Sequence, residues 1–300
     1  ELDQYQPTGD YAMKFEKEAE EGKYQYMVTD YPGTIGLRFN FINGGTSGLM
    51  SNVKIRKAIS YSIDREEMID AVYGRYNPAY SYVAPAITFN GSSYRSQVGE
   101  VIEDEYNEYV GDPDKIVALF QEGLDELGVE TPIEDITLTY LTSGSTTEVQ
   151  AEREYIQQSL EETLGLTVEL SVAGDNSLFI ADRNEGNYDF FLGGWYSDYN
   201  DPLDFLYTNY TDAYGMSFGG YSNTDYDALA DQLVGETDMD KRLDIYKQME
   251  QILLLDDCAF APIYYATKQV LLQNWVKDYR TSSFGASAEF IWTYIDGKNQ

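Results

Sequence analysis

Residues 136 to 194 alternate between strand and helix patterns, and no other feature of the chain constrains its fold as strongly. The strands alternate apolar and polar residues or form a short apolar run, whereas the helices repeat apolar residues every three or four positions. The predicted elements are a strand at 136–141, a helix at 146–164, a strand at 166–172, a helix at 176–184 and an apolar strand at 188–192. This order is typical of α/β folds, so we predict a fold of that class.

The last apolar run leads into a loop that is rich in carboxylates and aromatic side chains. Gly193 and Gly194 come first, and they allow the backbone to turn or another group to approach it closely. Asp198 follows beside Trp195 and Tyr196. A carboxylate in such a partly dry setting pairs more strongly with a cation than it does in water. We therefore expect this loop to bind a cationic group such as an amine.

Three other interpretations of these carboxylates remain open on the residues alone. Asp198 is of a residue type that commonly occupies turns and caps without binding a ligand. Asn200, Asp201 and Asp204 could hold a calcium ion, although the glycine and glutamate spacing of an EF-hand loop is absent. Asp198 paired with Asp201 or Asp204 could also perform the acid–base chemistry of a glycoside hydrolase.

Further helices and strands are predicted on both sides of this region. The helices are bounded by capping residues such as Asn52 and Asp112 or by glycines such as Gly74 and Gly128. Two of the strands flank a Pro-Gly turn. The additional elements are helices at 11–22, 52–74, 112–128, 225–233 and 239–255, strands at 24–29, 36–41, 261–272 and 291–295, and an irregular connection at 76–111.

Composition excludes several classes of function. The 300-residue chain carries a net charge of −32, which repels phosphate backbones and so excludes nucleic acid as a partner. It contains no histidine, which excludes Ser-His-Asp and Cys-His catalysis and histidine-bearing zinc sites. The one cysteine, Cys258, lies among apolar residues and is predicted to be a packed core thiol. Because neither Met nor a signal peptide begins the chain and no run is long enough to span a bilayer, we expect a trimmed piece of a protein.

Three segments, in this order, resemble motifs of one known family. Residues 52–65, NVKIRKAISYSIDR, are similar to a helix motif of the form VRxAlxyaiDR. Residues 194–202, GWYSDYNDP, resemble GWxxDYxDP, and residues 246–265 resemble a late helix and strand that ends in iPiyy. On these motifs the whole chain is similar to the C-terminal half of the extracytoplasmic peptide-binding proteins of ABC importers, the oligopeptide- and dipeptide-binding group of family 5 solute-binding proteins.

The resemblance implies a particular architecture. It implies an α/β, periplasmic-binding-protein-like lobe of type II with a mixed sheet and flanking helices, in a protein whose two lobes close over a ligand. Residues 1–43 would be the end of the first lobe and the crossover, 44–268 the second, ligand-binding lobe, and 269–300 the return to the first lobe. Because most of the N-terminal lobe would be missing, so that the lobe facing the ligand-binding one is incomplete, we expect this chain alone to bind ligand weakly or not at all.

The resemblance also implies roles for single residues in a binding protein that is not an enzyme. Asp198 aligns with the aspartate that pairs with the α-amino group of a bound peptide. Trp195 and Tyr196 would line the cleft. Arg183 aligns with an arginine that meets the peptide carboxylate in some members, whereas the nearer arginine of other members corresponds to Leu192.

The implied partners are an oligopeptide, the membrane permease of an ABC importer and the missing N-terminal lobe of the same protein. No cofactor and no metal are implied. The implied location is extracytoplasmic, either periplasmic or at the cell surface as a lipoprotein. Two alternatives remain: a carboxylate-dependent glycoside hydrolase, or the same fold binding another solute such as a sugar or a metal complex.

Overall fold

A mixed sheet of seven strands organises the chain in the computed structural model, which describes residues 4–5, 10–211, 218–284 and 288–298. The strands of the structure are β1 (Gln4–Tyr5), β2 (Gln25–Phe39), β3 (Asn77–Pro78), β4 (Thr88–Phe89), β5 (Ser92–Ser93), β6 (Thr137–Ser143), β7 (Thr167–Ala173), β8 (Phe190–Tyr196), β9 (Phe260–Leu272), β10 (Val276–Lys277) and β11 (Tyr294–Ile295). The large sheet has the order β1-β9-β2-β8-β6-β7, with β3 also paired to β9.

Helices flank this sheet. They are α1 (Asp10–Glu20), α2 (Val53–Tyr61), α3 (Arg65–Met68), α4 (Tyr94–Val98), α5 (Glu103–Asn107), α6 (Pro113–Leu127), α7 (Thr147–Leu164), α8 (Asn176–Glu185), α9 (Pro202–Leu206), α10 (Thr224–Gln232) and α11 (Met239–Gln251). Strand β6 runs parallel to β7 and β8, whereas β2 runs antiparallel to β8 and β9. The predicted α/β class, with a mixed sheet and flanking helices, is confirmed.

The alternating region folds as predicted, as β6, α7, β7, α8 and β8 in succession. Thr146 caps α7 by accepting a hydrogen bond from the Val149 N–H at 3.3 Å. Asp112 likewise caps α6, and Gly128 ends that helix in the left-handed conformation. Local signals were sufficient to predict these helix ends, because nearby residues in the sequence pair with the backbone groups that the helix leaves unpaired.

The predicted turn at Gly193 and Gly194 is wrong, and the alternative of close approach is right. Strand β8 continues through both glycines to Tyr196, and they pair with Gly36 and Ile35 of β2. A Cβ atom added at Gly194 would overlap the Thr34 carbonyl oxygen. The glycines therefore allow two backbones to lie close together inside the sheet.

The two strands predicted around Pro32 and Gly33 are one long strand, β2. Its first half pairs with β9, and its second half lies between β9 and β8, with irregular register between Asp30 and Thr34. Neighbouring strands on both sides therefore override the local turn signal. Asn52 does cap a helix, but Asp64 begins a second helix three residues after α2 ends, and Gly74 ends the segment.

The connection at 76–111 is irregular as predicted, apart from the short elements β3, β4, β5, α4 and α5. The buried carboxylate of Glu250 organises it, since it accepts hydrogen bonds from the Tyr82 and Val83 N–H groups and pairs with Arg95. Cys258 is buried, as predicted, and burial raises the pKa of its thiol to about 11. None of the helices in the described ranges combines the length and apolar character that crossing a bilayer requires.

Candidate functional site

The loop at 197–201 leaves the sheet at the carboxyl end of β8. Strand β6 is parallel to β8, so its carboxyl end lies at the same edge. Strand β2 reaches this edge at Gly33, which pairs with Tyr196. Loops at the carboxyl ends of parallel strands are a common place for ligand sites in open α/β sheets.

Asp204 fixes the conformation of this loop. Its Oδ2 atom accepts hydrogen bonds from Trp195 Nε1 at 2.8 Å, from Ser197 Oγ at 2.8 Å and from the Asp198 N–H at 2.9 Å. Asp204 lies on the first turn of α9 and is only 7% exposed. We call these three hydrogen bonds the Asp204 clamp. Because the clamp joins the helix to the loop, it holds the backbone of Asp198 in place.

Asp198 itself is exposed at the tip of this loop. Its N–H is held by the clamp, but within the described part of the chain its carboxylate makes no hydrogen bond or ion pair. A fixed backbone that carries an unpaired carboxylate is a ready partner for a cationic ligand group.

Aromatic side chains surround this carboxylate. Trp195 is half-buried against the core, and its indole points into the clamp. Tyr196 is 47% exposed, and its ring lies 5.7 Å from the ring of Tyr31. The ring covers Gly33, where an added Cβ atom would overlap it. Together they form an apolar, partly open surface beside Asp198.

The neighbouring polar side chains of this loop make hydrogen bonds to other parts of the structure. Asp201 caps α9 by accepting from the Leu203 N–H at 2.9 Å, and it also accepts from the Tyr246 hydroxyl at 2.8 Å. Asn200 bonds to the backbone and the hydroxyl of Thr88. Across the described ranges, no group of three or more Cys, Asp or Glu residues could hold a metal ion. Asp201 and Asn200 thus make hydrogen bonds to other parts of the structure, whereas the described residues provide none for the Asp198 carboxylate.

Arg183 lies at the other end of β8. It is half-buried on the last turn of α8. Burial raises the pKa of Tyr188 to about 12, and the nearby charge of Arg183 opposes that rise. Tyr188 precedes β8 and Asp198 follows it, and the seven-residue strand between them spans about 20 Å. The structure therefore brings Trp195, Tyr196 and Asp198 together but sets Arg183 apart.

Sequence reasoning missed a cluster on the same edge. Tyr76 stacks on Tyr264 with ring centroids 4.4 Å apart and an interplanar angle of 2°. Arg75 pairs with Glu148 of α7, and Glu152, one turn further, accepts a hydrogen bond from Tyr73. Arg75, Tyr73 and Tyr76 belong to segments without a ligand motif, and the pairing of Asn77 and Pro78 with β9 brings them to this edge of the sheet.

Known proteins are similar to this chain in sequence and in fold. The model of the bacterial extracellular solute-binding proteins, family 5 Middle, matches residues 2–217. The dipeptide-binding protein DppE of Bacillus subtilis is 30% identical over 249 residues, which are 82% of this chain and 42% of that protein. The oligopeptide-binding protein OppA of the same organism is 31% identical over 237 residues, which are 76% of this chain and 39% of that protein.

Solved structures of known proteins also resemble this chain in fold. Peptide-bound OppA of Listeria monocytogenes has a TM-score of 0.76 and 29% identity, covering 98% of this chain and 54% of that one. The substrate-binding domain of an oligopeptide ABC transporter from Bacillus anthracis, at 24% identity and a TM-score of 0.79, has the same fold over 98% of this chain. The chain spans about half the length of these relatives. Because the family model covers most of it, the chain belongs to the family 5 bacterial extracellular solute-binding proteins.

Proposed function

We propose that this chain is the C-terminal part of the peptide-capturing component of an ABC importer, and that the complete protein encloses an oligopeptide between two lobes. The family supports this, since its relatives include a dipeptide-binding and an oligopeptide-binding protein of about twice the length. In this proposal residues 44–268 form the second lobe, and residues 1–43 and 269–300 connect it to the first. The extension of β2 and β9 beyond β8 supports the crossover, because Gln25–Asp30 pairs with Thr267–Leu272 past the end of β8, where the short strand β1 also pairs with β9.

The single observation that carries the proposal is the position of Asp198. Its backbone is fixed by the Asp204 clamp, while its carboxylate is exposed and makes no hydrogen bond or ion pair with the described residues. We propose that it pairs with the α-amino group of the peptide. Tyr196 and Trp195 would form the adjoining wall, which the first lobe would complete. A charge-assisted pair of this kind is strengthened when closure removes water.

Asp201 and Asp204 argue for a binding protein over a glycoside hydrolase. A hydrolase of that kind needs two carboxyl groups that both face the substrate. Here Asp201 is held by a helix terminus and by Tyr246, and Asp204 by three donors of the clamp. Asp198 is thus left without a second catalytic group in this loop.

The further assignments follow from the family alone. We propose an extracytoplasmic location, in line with the description of the family as extracellular, with the permease of an ABC importer as partner. Anchoring as a cell-surface lipoprotein is part of the same proposal. Arg183 would contact only a ligand long enough to extend along the whole of β8.

Calorimetric titration of the complete two-lobe protein tests this proposal. The ligands are a mixed pool of two- to eight-residue peptides and the same pool with acetylated N-termini. We expect the free pool to bind and acetylation to weaken binding about 10-fold or more, since it removes the cation that Asp198 pairs with. Absence of binding by both pools would contradict a peptide-binding function. Equal binding of both pools would retain peptides as ligands but contradict the amine anchor.

A further inference from the structure

A short hairpin, formed by β4 and β5, lies against the loop that carries Asp198. The side chain of Asn200 joins the hairpin to the loop through two hydrogen bonds. Its Oδ1 atom accepts from the Thr88 N–H at 2.8 Å, and its Nδ2 atom donates to the Thr88 hydroxyl at 2.6 Å. Thr88 lies 112 residues earlier in the chain, so the contact connects two segments that are far apart in the sequence. We call these two hydrogen bonds the Asn200 strap.

The hairpin has anchors of its own. The Asn90-Gly91 turn at its tip has φ values of 49° and 85°, as a tight two-residue hairpin turn requires. The side chain of Phe89 is buried, and its carbonyl accepts from Gln97 of α4 at 2.9 Å. Tyr94, which follows β5, donates its hydroxyl to the buried Glu250 at 3.0 Å. The hairpin is therefore positioned without help from the loop, and it can hold the loop in place.

The strap and the Asp204 clamp hold the loop on the two sides of Asp198. The clamp holds the N–H of Asp198 itself. The strap holds the loop two residues later, directly before Asp201 caps α9. The direction in which a side chain leaves the backbone is set by the planar peptide units before and after it. The orientation of the Asp198 carboxylate therefore depends on both attachments.

We propose that Asn200 is a positioning residue: through the strap it holds the backbone after Asp198, so that the carboxylate faces the peptide amine before the ligand arrives. This inference rests on the proposed function. A group that is oriented in advance loses less conformational freedom on binding, and affinity rises without a new contact. The strap thus strengthens recognition of the amine and not of the rest of the peptide.

A second link between the hairpin and the loop lies inside the protein. The Tyr246 hydroxyl donates to Asp201 at 2.8 Å, and the Tyr246 ring packs edge-on against Phe89 with centroids 5.5 Å apart. Tyr246 is buried, whereas Thr88 and Asn200 are exposed. Because the buried link stays in place when the strap is removed, loss of the strap should loosen residues 198–200 and leave the fold intact.

The test compares a free and an acetylated peptide amine in the complete two-lobe protein. One tripeptide, with its N-terminus free or acetylated, is titrated by calorimetry into the unaltered protein and into its Asn200→Ala variant. We expect Asn200→Ala to weaken binding of the free tripeptide about 3- to 10-fold, since two exposed, neutral hydrogen bonds are lost. The acetylated tripeptide should bind both proteins equally. In an Asp198→Asn background, Asn200→Ala should have no further effect, because it acts through that carboxylate.

Variants of the hairpin separate this role from a general structural one. Thr88→Val removes the hydroxyl but keeps the N–H, so it should give a smaller loss that is again confined to the free tripeptide. Thr88→Ser retains both groups and should bind as the unaltered protein does. Gly91→Ala strains the turn at its positive φ and should also weaken only the free tripeptide. The matched control is Gly111→Ala, since Gly111 has a φ of 77° and equally open surroundings, and both affinities should stay unchanged.

Other results would overturn the proposal in distinguishable ways. If Asn200→Ala weakens the free and the acetylated tripeptide alike, Asn200 shapes the whole site, and the proposal fails while the proposed function stands. If Asn200→Ala changes neither affinity, or if Thr88→Val binds the free tripeptide as Thr88→Ser does, the strap does not orient Asp198. Equal binding of both tripeptides by the unaltered protein contradicts the amine anchor and this inference with it. Absence of any peptide binding overturns the proposed function as well.

Discussion

The Asp204 clamp gives the sharpest prediction for the stability of the site. Asp204→Ala removes the one oxygen that accepts from Trp195 Nε1, Ser197 Oγ and the Asp198 N–H. A hydrogen bond to a charged group contributes about 1.5 to 3 kcal/mol. Ser197 Oγ can donate instead to the Tyr199 carbonyl at 2.6 Å, so two donors lose their partner outright. The loss of both hydrogen bonds would lower the free energy of unfolding by about 3 to 6 kcal/mol. Because water can reach the half-buried loop and replace part of these interactions, we expect a decrease of about 2 to 4 kcal/mol.

Urea denaturation of the chain, followed by tryptophan fluorescence, measures this loss. Asp204→Asn keeps one acceptor oxygen at the clamp and removes only the charge. It should therefore lower the free energy of unfolding by only about 1 kcal/mol. Asp135→Ala is the matched control, since Asp135 is exposed before β6 at the opposite edge of the sheet. If Asp204→Ala unfolds at the same urea concentration as Asp135→Ala, the clamp does not hold the loop and our reasoning about Asp198 fails.

Two further predictions concern the sheet and its edge. Gly194→Ala should destabilise the chain by about 2 kcal/mol or more, whereas Gly174→Ala, which has room for a Cβ atom, should be nearly neutral in the same denaturation assay. Equal effects would contradict the close approach of β8 to β2. Burial raises the pKa of Glu152 from 4.5 to about 7, so its contribution to stability is fully present below pH 4.5 and is lost as pH rises through 7. Glu152→Gln should remove this decrease, which amounts to at most about 3 kcal/mol. If the stability of Glu152→Gln depends on pH between pH 4 and 9 in the same way as that of the unaltered chain, this prediction is wrong.

Local sequence signals predicted the elements that local interactions determine. Asp112 and Thr146 cap helices with their own side chains, and the apolar periodicity of 136–194 survives in the folded sheet. Local sequence signals gave wrong predictions where pairing with strands distant in the sequence determines the backbone conformation. Pro32 and Gly33 lie inside a strand because β9 and β8 flank it, and Gly193 and Gly194 remain extended because β2 lies against them.

The site was predictable only in part, for a similar reason. Asp198 could be identified because it follows an apolar run directly and lies in a recognisable motif. The sequence did not reveal the role of Asp204. A carboxylate six residues after Asp198 is equally compatible with a metal site, a catalytic pair or a clamp. Arg75 gave no signal because it reaches the site through the pairing of Asn77 and Pro78 with β9, more than 180 residues along the chain.

The most direct test of the account is the coupling between Asp198 and the peptide amine. The complete protein and its Asp198→Asn variant are titrated with one tripeptide, with its N-terminus either free or acetylated. We expect the variant to bind the free peptide about 10-fold or more weakly, and the acetylated peptide as the unaltered protein does, because the lost interaction involves both groups. An Asp198→Asn variant that binds the free peptide with unchanged affinity would contradict the central claim that this carboxylate anchors the ligand.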